Sequence, residues 1–218
     1  MPRPGAFRWL AAAVVALAAA LASPANATQE GWPALFDVAG VAPNDRLNIR
    51  AAPSASAARI GSLAPDATGV EVIRPDDRLR WGLVNTGEGT GWVSLAYLAR
   101  RAGQWDGALP RIARCFGTEP FWSIQLEWEG ERDGALSFKA LDEPERQFGV
   151  LRVTGSQNSR NRHALVSSGE AGTLTLLVRG AMCSDGMSDR AYGLEVDALL
   201  EDGEGLRMLS GCCSLSLP

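Results

Sequence analysis

The stretch that decides the fold is CFGTEPFWSIQLEW, residues 115–128, in the second half of a 218-residue chain. After the turn-forming Gly117 to Pro120, its residues alternate strictly between apolar and polar. One face carries the apolar set Trp122, Ile124, Leu126 and Trp128, and the other carries Ser123, Gln125 and Glu127. Because side chains along a β-strand point to opposite faces in turn, this pattern predicts a strand with one buried and one wet face.

The same period of two recurs towards the C-terminus. It places Leu174, Leu176 and Val178 on one face of a strand, and Leu194, Val196, Ala198 and Leu200 on one face of another. Weaker strands are predicted at residues 135–140, 147–153, 162–167 and 206–211. Several short antiparallel strands with one dry face indicate a small β-barrel or β-sandwich spanning residues 113–218.

The first 27 residues have the layout of a secretory signal peptide. Arg3 and Arg8 provide a basic start, Leu10 to Leu21 form an apolar run, and Ala25-Asn26-Ala27 fits the cleavage site. The run is too short to cross a bilayer comfortably, so we expect cleavage after Ala27, with an uncleaved membrane anchor as the alternative. We also expect no membrane span in the mature chain and a periplasmic or secreted protein. The formal charge of −4 gives no reason to expect a nucleic acid partner.

Four cysteines occur, Cys115, Cys183 and the adjacent pair Cys212 and Cys213. In an exported chain two disulfides are expected, with zinc ligation or thiol redox chemistry as alternatives. Adjacent cysteines on a strand point to opposite faces, which suits two separate bridges. A bridge between Cys212 and Cys213 would need a distorted eight-membered ring, so two pairings remain open.

Residues 35–100 contain short β-prone runs at 47–49, 70–72, 81–84 and 91–93, separated by turn-forming clusters. Alternation directs Leu47 and Ile49, and also Val70 and Val72, to an interior. This pattern predicts a small barrel. A change of composition at residues 101–112 predicts a linker between the two domains.

The motifs LNIRAAPS (47–54), RIGSL (59–63), WGLV (81–84) and GWVSLAYL (91–98) resemble, in order and spacing, a bacterial SH3 domain (SH3b, SH3 type 3). The resemblance implies a five- to six-stranded, partly open barrel in an extracytoplasmic protein. It also implies binding of peptidoglycan, or of another extended peptide or envelope protein, without catalysis.

Five residues of this domain are candidate ligand contacts. Trp81, Trp92 and Tyr97 could stack on an extended ligand, while Asn48 and Arg50 should point outward beside Leu47 and Ile49. The alternative is that Trp81 and Trp92 fill the barrel and that the polar pair is merely solvated.

GTEPFW (117–122), CSDGMSDRAYG (183–193) and the closing glycine-cysteine strand resemble an uncharacterised family of bacterial secreted or envelope proteins with a G-x-E-P-F-W start. Its motif residues here are Glu119, Phe121, Trp122, Asp185, Met187, Ser188 and Tyr192. Because the cysteine-bearing segments occur together in that family, the resemblance implies the pairs Cys183–Cys212 and Cys115–Cys213. Gly193 stands where proline is frequent.

A catalytic site is not expected. His163, the only histidine, should be an exposed strand-edge residue, and disulfides would leave no thiol nucleophile. Glu119, Asp185 or Asp189 could act as paired carboxylates in an envelope hydrolase, which is the alternative function. We therefore expect an all-β binding protein with no metal and no cofactor.

Overall fold

The computed structural model describes residues 31–130, 132–149 and 151–215, and the predicted signal peptide lies outside these ranges. Within them the chain is nearly all β, with one short 3-10 helix at Leu95–Tyr97. The strands form three antiparallel sheets. The predicted all-β fold class is confirmed.

The first unit contains two small sheets, with strand orders β4-β1-β8 and β3-β2-β7-β6-β5. All four predicted runs are strands, and Leu47, Ile49 and Val72 are buried as expected, whereas Val70 is partly buried. The eight strands are β1 (Ala34–Val38), β2 (Leu47–Arg50), β3 (Arg59–Leu63), β4 (Val70–Val72), β5 (Arg74–Pro75), β6 (Trp81–Thr86), β7 (Gly89–Ser94) and β8 (Leu98–Arg100).

The second unit is a single nine-stranded antiparallel sheet that curls into a nearly closed barrel. Its spatial order is β12-β11-β10-β9-β17-β16-β15-β14-β13. The strands are β9 (Arg114–Thr118), β10 (Phe121–Trp128), β11 (Gly134–Ala140), β12 (Arg146–Phe148), β13 (Leu151–Gly155), β14 (Arg162–Gly169), β15 (Gly172–Cys183), β16 (Tyr192–Asp202) and β17 (Gly205–Ser214).

Alternation places the expected apolar residues of β10, β15 and β16 in the barrel core, with only Trp128 partly buried. The strand predicted at 147–153 is interrupted, because β12 ends at Phe148 and β13 begins at Leu151. Both residues are buried although they are three positions apart. A continuous strand would point them to opposite faces, so the interruption lets both enter the core.

Two disulfides cross-link this barrel, Cys115–Cys213 and Cys183–Cys212. Cys115 and Cys213 are directly opposite each other on β9 and β17 and belong to the core, whereas Cys212 lies outside the core cluster. The terminal strand is therefore bridged on both of its faces. The pairing implied by the family resemblance is confirmed.

The segment 101–112 that joins the two units is attached to both. Gln104 exchanges two hydrogen bonds with the backbone of Leu35, at 2.6 and 2.9 Å. Ile112 is fully buried in the core of the second unit. The units also contact directly, since the Asn85 side chain bonds to the backbone N–H and C=O of Ala191 at 3.1 and 2.9 Å.

Candidate functional site

The outer surface of the five-stranded sheet carries a cross-strand row of three arginines and one tryptophan, with the buried Leu83 between Trp92 and Arg74. Cross-strand register aligns Arg59 on β3, Arg50 on β2, Trp92 on β7, Leu83 on β6 and Arg74 on β5. Residues directly opposite in antiparallel strands share a face, so this row crosses the entire sheet. We call it, together with Asn48 and Trp81, the arginine–tryptophan face.

Trp81 and Trp92 are partly exposed, and neither belongs to the buried core. The alternative, in which both rings fill the interior, is therefore wrong. The inward positions beside them are Gly82 and Gly91, where an added Cβ would lie 2.6 Å from Val72 and 2.4 Å from Ile49. The interior has no room even for a methyl group there, so both indole rings lie outside.

Local contacts hold the arginine side chains of this face in place. The Arg74 guanidinium lies 5.0 Å from the centre of the Trp92 ring, within cation–π range, and Arg50 donates to the carbonyl of Ala57 at 2.8 Å. A surface depression of about 610 Å³ adjoins Trp81. Arg50, Arg74 and Trp81 therefore lie on one accessible surface of the sheet.

Asp76 holds the strand that carries Trp81. Its carboxylate accepts the backbone N–H groups of Arg80 and Trp81 at 2.6 and 2.8 Å. Desolvation acts to raise the pKa of Asp76, but these N–H donors outweigh it and the pKa lies below its ordinary value. Asp76 therefore stays ionised and anchors the loop before β6.

Of the five predicted ligand contacts, the structure brings four together. Asn48 and Arg50 lie on one face of β2, beside Trp92 and on the same sheet surface as Trp81. Tyr97 is exposed but lies in the 3-10 helix near Gly40, away from the row. Sequence reasoning missed Arg59 and Arg74, whose only signal is the hairpin pairing that aligns them with Arg50 and Leu83.

In the second unit, most of the motif residues converge on one cleft of about 540 Å³, which we call the motif cleft. Glu119 is exposed at the tip of the β9–β10 turn and does not line it. The lining of the motif cleft includes Phe121, Trp122, Asp185, Met187, Ser188 and Tyr192. Residues that the sequence analysis did not single out, Arg114, Phe116, Lys139 and Arg190, complete the walls.

Asp185 organises the loop between β15 and β16. Its carboxylate accepts the N–H groups of Met187 and Ser188 at 3.0 and 2.9 Å and the Ser188 hydroxyl at 2.8 Å, with the Tyr192 hydroxyl at 3.5 Å. Desolvation would raise the pKa of Asp185, but these donors together lower it. The carboxylate therefore serves the loop's own structure, which is unfavourable for a catalytic base.

The glycines of the two terminal motifs make room for Trp122. An added Cβ at Gly117 would lie 2.3 Å from the Trp122 ring nitrogen, and one at Gly211 would lie 2.0 Å from the Phe116 carbonyl and 2.9 Å from the same ring. Gly193 is similarly enclosed by the ring of Pro33, at 2.8 Å. Close packing thus explains why glycine occupies all three positions.

His163 lies on the inner face of β14, next but one to the buried Leu165, and is only 8% exposed. The prediction of an exposed edge residue is wrong, because β13 pairs with β14 and covers that edge. Burial lowers the pKa of His163. The carbonyl oxygen of Gly107, 3.5 Å from Nε2, acts to raise this pKa but only partly offsets the effect of burial. Its neutral form is favoured, in a packing role.

No cluster of three or more histidine, cysteine or acidic side chains suited to a metal occurs in the described part of the chain. Within the same ranges we find no helix with the length and apolarity that crossing a membrane requires. Comparisons with protein-family models, with curated proteins and with solved structures gave no match to this chain.

Proposed function

We propose that this chain is an exported binding protein of the bacterial envelope. Its first unit, an SH3b-like domain, holds peptidoglycan or another extended envelope peptide on the arginine–tryptophan face. The observation that carries the proposal is the row of Arg59, Arg50, Trp92 and Arg74 in register across one sheet, with Trp81 beside it.

The chemistry of that row suits an extended, carboxylate-bearing peptide. Guanidinium groups bind carboxylates through paired, charge-assisted hydrogen bonds, and indole rings stack on apolar side chains or on sugar faces. Arg59 and Arg74 lie at the two ends of the row and are exposed, while Trp92 lies between them. A ligand lying across the strands would meet cationic and aromatic groups in succession.

Two further observations agree with an exported binding role. The disulfides are compatible with a periplasmic or secreted location, because such compartments are oxidising. In the second unit, the Asp185 carboxylate is occupied by donors of its own loop and Glu119 lies outside the motif cleft. This arrangement favours binding over the alternative of an envelope hydrolase.

The test is co-sedimentation of the purified mature protein with insoluble peptidoglycan. We expect the wild type to be retained and the double variant Trp81→Ala/Arg74→Gln to lose about tenfold in affinity, as expected for loss of a stacking ring and a charged hydrogen bond. Tyr97→Ala and Trp105→Ala are matched controls, because they remove exposed aromatic rings elsewhere on the surface.

Retention equal to that of an unrelated acidic protein, or unaffected by the double variant, would overturn the proposal. The same incubations provide a check on the hydrolase alternative. An unchanged muropeptide profile is expected after overnight incubation, and new cleavage products that disappear in Glu119→Gln would favour an enzyme instead.

A further inference from the structure

The motif cleft has the composition of a binding site rather than of a simple packing defect. Its volume of about 540 Å³ is within the range of small-ligand pockets. Phe121 and Met187 on its rim are 48% and 69% exposed, although large apolar side chains are usually buried. Apolar and charged side chains both line the cleft, a combination that is suited to an amphipathic ligand.

Three cationic side chains, Arg114, Lys139 and Arg190, line this cleft. None of them forms an ion pair with another residue in the described part of the chain. The acidic side chains of the cleft are Glu88 and Asp185, and the second is occupied by its own loop. Three cationic side chains therefore face two carboxylates in this cleft, and none of the three is held in an ion pair within the described part of the chain.

Aromatic contacts and one backbone acceptor position two of these cations. The Arg114 guanidinium lies 4.5 Å from the centre of the Phe116 ring, and Phe116 packs edge-on against Tyr192 at 4.9 Å. Arg190 donates from Nε to the carbonyl of Gly87 at 2.7 Å, a contact that crosses from the second unit to the first. Fixed guanidinium groups lose little freedom when they bind a carboxylate.

A smaller cleft of about 320 Å³ lies beside the motif cleft, between the two units, and shares part of its lining. Both clefts are lined by Arg114, Phe116, Arg190 and Tyr192, and the smaller one adds Asn85 and Glu71 from the first unit. The Glu71 carboxylate accepts the Ser214 hydroxyl and the Leu215 N–H, so its own neighbours hold it. A ligand longer than one residue can therefore run from the exposed rim at Phe121 to the junction of the units. The arginines lie at the point where the two clefts meet.

We propose that this combined cleft binds a short peptide through its free C-terminal carboxylate. The carboxylate lies between Arg114 and Arg190, and an apolar side chain of the peptide packs against Phe121 and Met187. The site is separate from the arginine–tryptophan face and does not depend on the function proposed for that face.

Isothermal titration of the mature protein with N-acetyl-Phe-Ala, its C-terminal amide and inorganic phosphate tests this site. We expect the free acid to bind at least about tenfold more tightly than the amide, since a paired arginine–carboxylate contact is lost in the amide. Phosphate should not compete. Equal affinities for acid and amide, or no binding of the acid at millimolar concentration, would overturn the proposal. Competition by phosphate would also overturn it, because the cleft would then be a site for simple anions and not for a peptide.

Variants locate the binding. Arg114→Gln should weaken the free acid about tenfold and abolish its advantage over the amide, whereas Arg152→Gln, on the exposed side of β13, should change neither. Phe121→Ser should remove the preference for N-acetyl-Phe-Ala over N-acetyl-Gly-Ala; Phe121 is half exposed, so this variant should fold. Unchanged binding in both cleft variants contradicts the proposal. The Trp81→Ala/Arg74→Gln protein should bind the dipeptide normally, which separates the two sites.

Discussion

The two units use glycine and tryptophan in opposite arrangements. In the first unit, Gly82 and Gly91 face inward against Val72 and Ile49, and the tryptophans of the same strands lie outside. In the second unit, Trp122 is only 4% exposed, and Gly117 and Gly211 leave the space that its ring occupies. The same two residue types thus build an outer surface in one unit and a core in the other.

The difference shows what limits each unit. In the first unit, Val72 and Ile49 fill the space beside Gly82 and Gly91, so Trp81 and Trp92 lie on the outer surface, although Phe36 is buried in the core. A larger barrel can bury an indole, but its strands must then approach closely at glycine, and two disulfides hold the terminal strand in place. The first unit thereby presents the arginine–tryptophan face, and the second presents the motif cleft beside a cross-linked core.

The largest expected effect comes from removing the cross-links that only the second unit has. The Cys115–Cys213 bridge spans 98 residues and Cys183–Cys212 spans 29. In the chain-entropy model their loss lowers the free energy of unfolding by about 4.7 and about 3.6 kcal/mol respectively. Urea denaturation of the Cys115→Ala/Cys213→Ala and Cys183→Ala/Cys212→Ala proteins measures both losses. Identical midpoints for the wild type with and without reductant would contradict this account.

A smaller effect is expected from adding one methyl group at matched glycines. Gly211→Ala should destabilise by about 3 kcal/mol, because its Cβ meets the fixed carbonyl of Phe116 and the Trp122 ring. Gly91→Ala should cost less, about 2 kcal/mol, because its two closest contacts are side-chain methyl groups of Ile49 and Ile60 and the nearest backbone atom, the Arg50 carbonyl oxygen, is 3.2 Å away. Thermal unfolding of both variants measures which substitution costs more stability. Gly203→Ala is the control, because a Cβ there would meet no atom within 4 Å. An equal cost at both sites would remove the contrast between the units.

Much of the second unit could be predicted from the sequence, because its strands alternate clearly and its cysteines fall in family-like segments. The inward position of His163 could not be predicted, since it depends on β13 covering the edge of β14. The positions of Trp81 and Trp92 likewise depend on Val72 and Ile49, which are distant in sequence and fill the space beside the glycines. The motif residues could be named, but their meeting with Arg114 and Arg190 is a tertiary property.

The smallest expected effect is a dependence of stability on pH. It arises from a buried side chain in the second unit, in contrast to the solvent-exposed outer face of the first. Burial lowers the pKa of His163 below its ordinary value of 6.5, so the unfolded chain takes up a proton that the folded chain resists. The contribution of neutral His163 to the free energy of unfolding should therefore be fully present above pH 6.5. It should decrease as the pH falls below this value, by at most about 1.4 kcal/mol per pH unit.

Because His163 is the only histidine, His163→Gln should remove this slope while leaving the decline at lower pH, where Asp185 and other carboxylates protonate. Urea midpoints between pH 5 and 7.5 measure the difference. A slope that persists unchanged in His163→Gln would show that another group titrates on unfolding, and the interior of the second unit would then not be the source of the pH dependence.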